Sequence, residues 1–118
     1  MSKHKETGIK GEQLAANFLL NNGYIILARN WRFGKKEVDI IAKQGNTLVF
    51  VEVKARNSFD FGFPEEAVTI TKQNFLKIAA EAYADTNNDY ENIRFDILSI
   101  LLNHDELKEI VHFEDAFF

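Results

Sequence analysis

The sequence predicts an α/β domain in which a mixed β-sheet lies between helices. Three observations lead there. Residues 47–55, Thr-Leu-Val-Phe-Val-Glu-Val-Lys-Ala, are apolar at almost every position, the mark of a strand covered on both faces. Apolar residues recur at helical spacing before it, in residues 7–22, and after it, from Thr71 onward. Short β-prone runs separated by Gly-, Asn- and Asp-containing turns account for most of the remainder.

The elements follow in order. In residues 7–22, Leu14, Ala15, Phe18 and Leu19 share one helical face, and Gly23 supplies a stop. Residues 24–30 form a β-prone run that leads to a polar turn at Phe33-Gly34-Lys35-Lys36. Residues 37–43 read as a second strand, and Gln44-Gly45-Asn46 turns it into the 47–55 strand. Residues 56–70 read as an extended loop that carries the only proline, Pro64, and phenylalanines at 59, 61 and 63. Core packing, a subunit interface and stacking on unpaired bases are all open to these three rings. Thr71 reads as the cap of a second helix with Phe75, Ile78, Ala79 and Ala82 on its apolar face. Residues 93–102 and 107–113 are two further strands joined through Asn103-His104-Asp105. The order is α-β-β-β-α-β-β. A helix that returns a hairpin-rich sheet to a further strand requires a mixed sheet with a right-handed crossover. One helix per face makes a three-layer sandwich.

Composition bounds the function. At 118 residues the chain is expected to form one domain, residues 1–118, with a single core. Apolar content of 46% and charged content of 27% are those of a soluble globular protein, so disorder is not expected. The absence of cysteine excludes disulfides and thiolate metal sites. No apolar run follows the first six residues and none reaches the length of a membrane span, so neither a signal peptide nor a span is expected and the expected location is cytoplasmic. The net charge of −4 is unevenly spread: residues 1–58 carry +5 and residues 59–118 carry −9. A basic amino-terminal half suits contact with a polyanion, although scattered solvated charge explains it equally well.

Three acids stand where solvated acids are not expected. Glu52 and Lys54 share a strand face with Leu48 and Phe50, while Val49, Val51 and Val53 cover the other. Asp39 lies between Val38 and Ile40-Ile41-Ala42, on a face with Glu37 and Ile41, and the hairpin brings it beside Glu52. Glu12 is in line with Ala15, Ala16 and Leu19 on the first helix. If the three converge, only Lys54 offsets them. Two carboxylates about 4 Å apart repel by roughly 4 kcal/mol at an effective dielectric near 20, so either a proton or a divalent cation is taken up. Oxygen donors without thiolates point to Mg²⁺ or Mn²⁺. Such a site suits phosphodiester hydrolysis, with Lys54 assisting the water or the transition state. Arg29, Arg32, Lys35, Lys36 and Arg56 are then candidates for holding the backbone of a nucleic acid. Each residue also has a plainer reading. Glu52 and Lys54 can form a simple ion pair, Asp39 can cap a turn, and Glu12 can reach solvent. Glu37 reads as a support for a basic side chain. His4, His104 and His112 show no ligand spacing, and Asp96 reads as a structural partner of Arg94 or of nearby backbone.

Asp39, twelve intervening residues and Glu52-Val53-Lys54 resemble the PD-(D/E)xK signature of restriction-endonuclease-like nucleases, with Val38 at the place of the signature's proline. A wider set of motifs spans nearly the whole chain. It comprises Gly11-Glu12-x-x-Ala15, Gly23-Tyr24, Asn30-x-Arg32, Glu37-Val-Asp39-Ile-Ile-Ala42, Phe50-Val-Glu52-Val-Lys54-x-Arg56, Ala67-Val68, Lys72-Gln73, Arg94-Phe95-Asp96 and Ala116-Phe117. With these the chain resembles the YraN family, small bacterial proteins related to Holliday-junction resolvases. Lys36 stands where that family commonly has Gly. The resemblance implies a restriction-endonuclease-like αβββαβ core, with Glu12, Asp39, Glu52 and Lys54 at the active site. It also implies Mg²⁺ or Mn²⁺ held by the three acids, and DNA, including branched or repair intermediates, as substrate. Gln73 matches a polar position that approaches the site in related nucleases, and with Lys72 it joins the expected nucleic-acid contacts. Symmetric cleavage of a four-way junction would require a homodimer. The alternative is a non-catalytic nucleic-acid-binding or protein-interaction module that retains the nuclease fold.

Overall fold

The expected order of elements is the observed one. The computed structural model describes residues 3–57, 68–86 and 89–118, with side chains from Glu6 onward. Helix α1 (Lys3–Asn21) leads into strands β1 (Ile25–Phe33), β2 (Lys36–Gln44) and β3 (Thr47–Asn57). Helix α2 (Ile70–Thr86) then precedes β4 (Asn92–Asn103) and β5 (Glu106–Phe113). The phenylalanines at 59, 61 and 63, Pro64 and Ala67 lie outside the described residues.

The strands form one sheet in the order β1-β2-β3-β4-β5. Only the β3–β4 pair is parallel, because α2 carries the chain back across the sheet between them. The other three pairs are antiparallel hairpins. Alternation along the strands then loads both faces. Val49 and Val51 of β3, with Ile40, Ala42, Leu98, Ile100 and Leu102, pack under Ala15, Ala16 and Leu19 of α1. Leu48 and Phe50, with Val38, Ile41 and Phe95, pack under Leu76, Ala79, Ala80, Tyr83 and Ala84 of α2. The result is the expected α/β three-layer architecture. Among the described residues no helix is long and apolar enough to cross a membrane.

Two local expectations for α2 are corrected. The cap is Thr69, not Thr71: its Oγ1 accepts the Lys72 N–H at 3.2 Å and its carbonyl accepts the Gln73 N–H at 2.9 Å. Of the stripe expected through Phe75, Ile78, Ala79 and Ala82, Ala79 is buried and Phe75 packs at the edge of the core, but Ile78 is 56% exposed because the face that meets the sheet runs through Leu76, Ala79, Ala80 and Tyr83. Helix α1 ends as expected at Gly23. With φ +84, it lets its own N–H reach the Leu20 carbonyl and the Tyr24 N–H reach that of Leu19.

A fork in the sheet sets up the site. The β2–β3 ladder runs from Gln44↔Thr47 to Ile40↔Val51 and stops there. Beyond that point β2 stays with β1 as far as Lys36, and β3 stays with β4 as far as Asn57. Asp39 occupies the crotch. The expected strict alternation also fails here: Val38 and Ile41 both face α2, while Ile40 faces α1. Asn30, opposite Asp39 by count, adopts φ +52 inside β1, so both strands turn over together at this level. Asn tolerates this left-handed conformation better than most residues.

Candidate functional site

The fork aims polar groups into the gap between β2 and β3. Asp39 Oδ2 accepts the Val53 backbone N–H at 2.8 Å, a bond that a β2 carbonyl would otherwise supply. Glu52 follows the last β3 residue paired with β2 and is only 5% exposed. Lys54, two residues on, places Nζ 3.6 Å from Glu52 Oε1. Lys72, in the first turn of α2, places Nζ 3.6 Å from Glu52 Oε2. Both lysines are within ion-pairing range and beyond hydrogen-bonding range. Glu52 Oε2 is fully shielded from solvent and has no hydrogen-bond partner among the described residues.

That environment acts on the protons. Burial, and then the negative charge of Asp39, push the Glu52 carboxyl up to about 7, against the pull of Lys72 and Lys54. Asp39 is raised by burial too, opposed by the Val53 N–H and the same two lysines. Glu12 reaches the fork from the α1 side. Its carboxyl is raised by burial and by Asp39, and is held back by a hydrogen bond to Asn30 and by Arg29. The close seat of α1 brings it there: Gly11 sits against Ala55, where a Cβ would collide with the Ala55 Cβ. Arg29 in turn donates to Gln13 Oε1 at 3.1 Å, tying β1 to the helix turn that carries Glu12.

The expected residues thus fall into groups. Asp39, Glu52 and Lys54 come together at the fork, and Glu12 adjoins Asp39. Among the described residues no three His, Asp or Glu side chains gather into one ready-made metal cage. Arg32, Lys35 and Lys36 are exposed at the β1–β2 hairpin, and Lys36 lies over the Phe75 ring at 5.7 Å. Arg56 is half-buried further along β3. Gln73 spends its amide on the Val68 carbonyl at 3.0 Å, a bond within its own helix entry.

Two contributors were not foreseen in these roles. Lys72, an expected nucleic-acid contact, pairs with Glu52. The signal was available in the topology: the helix of a β-α-β unit starts at the carboxy-terminal end of the first strand, where Glu52 and Lys54 lie. Asn30 had no such signal, since its left-handed turn appears only once β1 is paired. His112, whose spacing suggests no ligand role, lies 2.7 Å from Asp96 Oδ2. Asp96 fulfils its structural reading, because Arg94 donates to both of its oxygens at 2.8 Å and the Asp115 N–H adds a third bond.

A three-layer α/β domain with one buried and one half-buried carboxylate and two lysines at a fork in its sheet is therefore the class of protein defined. The chain belongs to the family described as uncharacterised protein family UPF0102, whose model matches residues 11–100. It is similar to the UPF0102 protein of Flavobacterium psychrophilum, 46% identical over 118 residues covering 100% of this chain and 98% of the relative. A Rhodococcus jostii member is 42% identical over 118 residues, covering 99% and 100%. One from Caldicellulosiruptor saccharolyticus is 46% identical over 115 residues, covering 96% and 98%.

Proposed function

We propose that this protein is a metal-dependent nuclease that hydrolyses DNA phosphodiesters, with Asp39 and Glu52 as the direct carboxylate ligands of Mg²⁺ or Mn²⁺. The observation that carries the reading is the Glu52 carboxylate, buried beside a second carboxylate with one oxygen that has no hydrogen bond among the described residues. The donor set fits such an ion. Mg²⁺ is commonly held by one or two carboxylates while it keeps several waters, so a third direct ligand is not required and Glu12 acts through water. A divalent cation there supplies Lewis acidity to a phosphate oxygen and makes a nearby water more acidic.

The remaining work falls to side chains. Glu52 must give up its proton before it can serve as a ligand, and Lys54 favours that loss from 3.6 Å. The Lys54 ammonium is one-third exposed and can also donate to the attacking water or to a phosphate oxygen. Arg32, Lys35 and Lys36 at the hairpin, with Arg29 on β1 and Arg56 further along β3, hold the flanking phosphates. The motif resemblance to resolvase-like nucleases supports branched DNA as substrate and a homodimer as the active form.

One observation favours a second reading. Asp39 and Glu52 face Lys54 and Lys72, so the four side chains balance without any ion. A non-catalytic nucleic-acid-binding module would use that neutral cluster as a structural element. Calorimetric titration with Mg²⁺ and Mn²⁺ decides, alongside cleavage assays on four-way-junction, single-stranded and duplex DNA. The nuclease reading expects metal binding and metal-dependent cleavage, both lost in Asp39→Asn/Glu52→Gln. Absence of binding heat and of any metal-induced thermal shift would remove it. Salt-sensitive DNA binding without cleavage would leave the binding module.

A further inference from the structure

We infer that Lys72 is a built-in competitor for the divalent cation: its ammonium neutralises Glu52 in the ion-free protein and must leave Oε2 when an ion binds. The inference rests on the metal-binding reading and adds what sets the affinity of that site. Three observations carry it. First, Lys72 faces the right oxygen. Lys54 pairs with Oε1, whereas Oε2, the shielded oxygen without a hydrogen bond, faces Lys72. A cation using Oε2 therefore meets an ammonium already there, and two positive charges repel.

Second, Lys72 is loosely held. Its Nζ is 3.6 Å from Glu52, 3.4 Å from the Glu37 carbonyl and 5.3 Å from the centre of the Phe75 ring. None of these approaches the paired 2.8 Å bonds between Arg94 and Asp96, the tight ion pair of the same molecule. Third, there is somewhere to go. The Thr69 cap fixes the Lys72 backbone in the first turn of α2, but the four-carbon stem has rotatable bonds and the side chain is 27% exposed. The Glu37 carbonyl and the Phe75 face already lie beside Nζ, so the ammonium has other partners when it leaves Glu52.

The test is Mn²⁺ binding, by calorimetry without nucleic acid, to wild type, Lys72→Met and Lys72→Arg. Removing the competing charge should tighten Mn²⁺ binding by roughly tenfold or more, while the arginine variant binds no more tightly than wild type. Damage to the fold would weaken binding, so tightening cannot come from damage. Thermal unfolding confirms that each variant is folded, and Lys72→Gln carries the same expectation if the methionine variant is not. Tighter binding by Lys72→Met, including binding that appears only in that variant, supports the inference. Equal or weaker binding by a folded Lys72→Met against a wild type that does bind overturns it and leaves the metal site standing. Failure of every variant and of wild type to bind overturns both.

Discussion

The Asp39 carboxylate accepts the Val53 N–H at 2.8 Å, so a side chain takes the place of a strand carbonyl where β2 and β3 part. This one bond both closes the fork and commits an oxygen of Asp39. The other oxygen, on the same carboxylate, is left to act on its surroundings. Structure and chemistry therefore share the residue, and substitutions can separate them.

Asp39→Asn keeps an acceptor for Val53 and removes a charge beside Glu52. The fold should persist, and the Glu52 carboxyl should move down toward its ordinary value, since Asp39 is the main charge raising it. Asp39→Ala orphans the Val53 N–H and should cost about 1–3 kcal/mol. Carbon-detected NMR titration of Glu52 and urea unfolding measure the two effects. A Glu52 titration unmoved by Asp39→Asn would show that the two carboxylates are not coupled.

Stability should fall as pH rises through neutrality. Glu52 goes from an ordinary 4.5 to about 7 on folding. Between those values the folded chain keeps a proton that the unfolded chain has lost, so raising the pH favours unfolding. The contribution is fully present below about 4.5 and is lost as pH rises through about 7. Glu12 and Asp39 shift in the same direction and add to it. Asp96 has the opposite sign in a more acid window. Burial opposes its ionisation, but bonds from His112, Arg94 and the Asp115 N–H outweigh burial and lower its pKa. Its contribution is present above its ordinary value of 3.8 and is lost as pH falls through the lower folded one. Urea unfolding near pH 5 and pH 8 should differ by an amount on the order of 1–3 kcal/mol, and Glu52→Gln should flatten that difference. Added Mg²⁺ should stabilise more at the higher pH, where it no longer competes with the proton.

The fold was legible because its signals are local and periodic. The two-sided apolar run of β3 placed the central strand, and the helical stretch after it required the crossover that makes β3 and β4 parallel. Asp39, Glu52 and Lys54 were legible for the related reason that charges inside apolar strands stand out. What escaped depends on partners that are remote in sequence. The phase of α2 is fixed by which residues the sheet accepts, so Leu76 and Ala80 won over Ile78. The slip at Asp39 follows from a left-handed Asn30 in the neighbouring strand, which no period-2 pattern encodes. The sequence-based charge balance set three acids against Lys54 alone. It omitted Lys72, whose approach to Glu52 exists only after α2 is laid across the sheet.

Gly11→Ala should destabilise the chain through a single contact. The added Cβ would collide with the Cβ of Ala55, forcing α1 off β3. Overpacking of this kind costs about 1–3 kcal/mol. Ala55→Gly removes the colliding atom, and the double variant should recover part of the loss despite the roughly 0.5–1 kcal/mol cost of glycine within a strand. A double-mutant cycle by urea denaturation should give a coupling of about 1 kcal/mol or more. Simple additivity would mean that α1 is not seated by this contact. Because Glu12 follows Gly11 directly, the same variant should also weaken any Mn²⁺ binding to which Glu12 contributes.

Asp96→Asn should be among the most damaging conservative changes in the molecule. Asp96 is fully buried and collects two bonds from Arg94, one contact from His112 and one bond from the Asp115 N–H. Arg94 extends the network to the Tyr24 hydroxyl at 2.6 Å, so the α1–β1 connection, β4, β5 and the residues after β5 are tied together through one carboxylate. An amide there keeps one acceptor but turns N–H donors toward a guanidinium that has only donors, leaving a largely buried charge short of its partner. Breaking a buried pair from one side costs about 3–5 kcal/mol, a large share of the stability of a domain this size. Urea unfolding tests the magnitude, and amide exchange tests the mechanism. The Ala116 N–H, bonded to the Phe95 carbonyl at 2.7 Å, and the Asp115 N–H should lose protection before the β2–β3 ladder does. Uniform loss across the sheet would mean instead that Asp96 supports the core as a whole, not this corner.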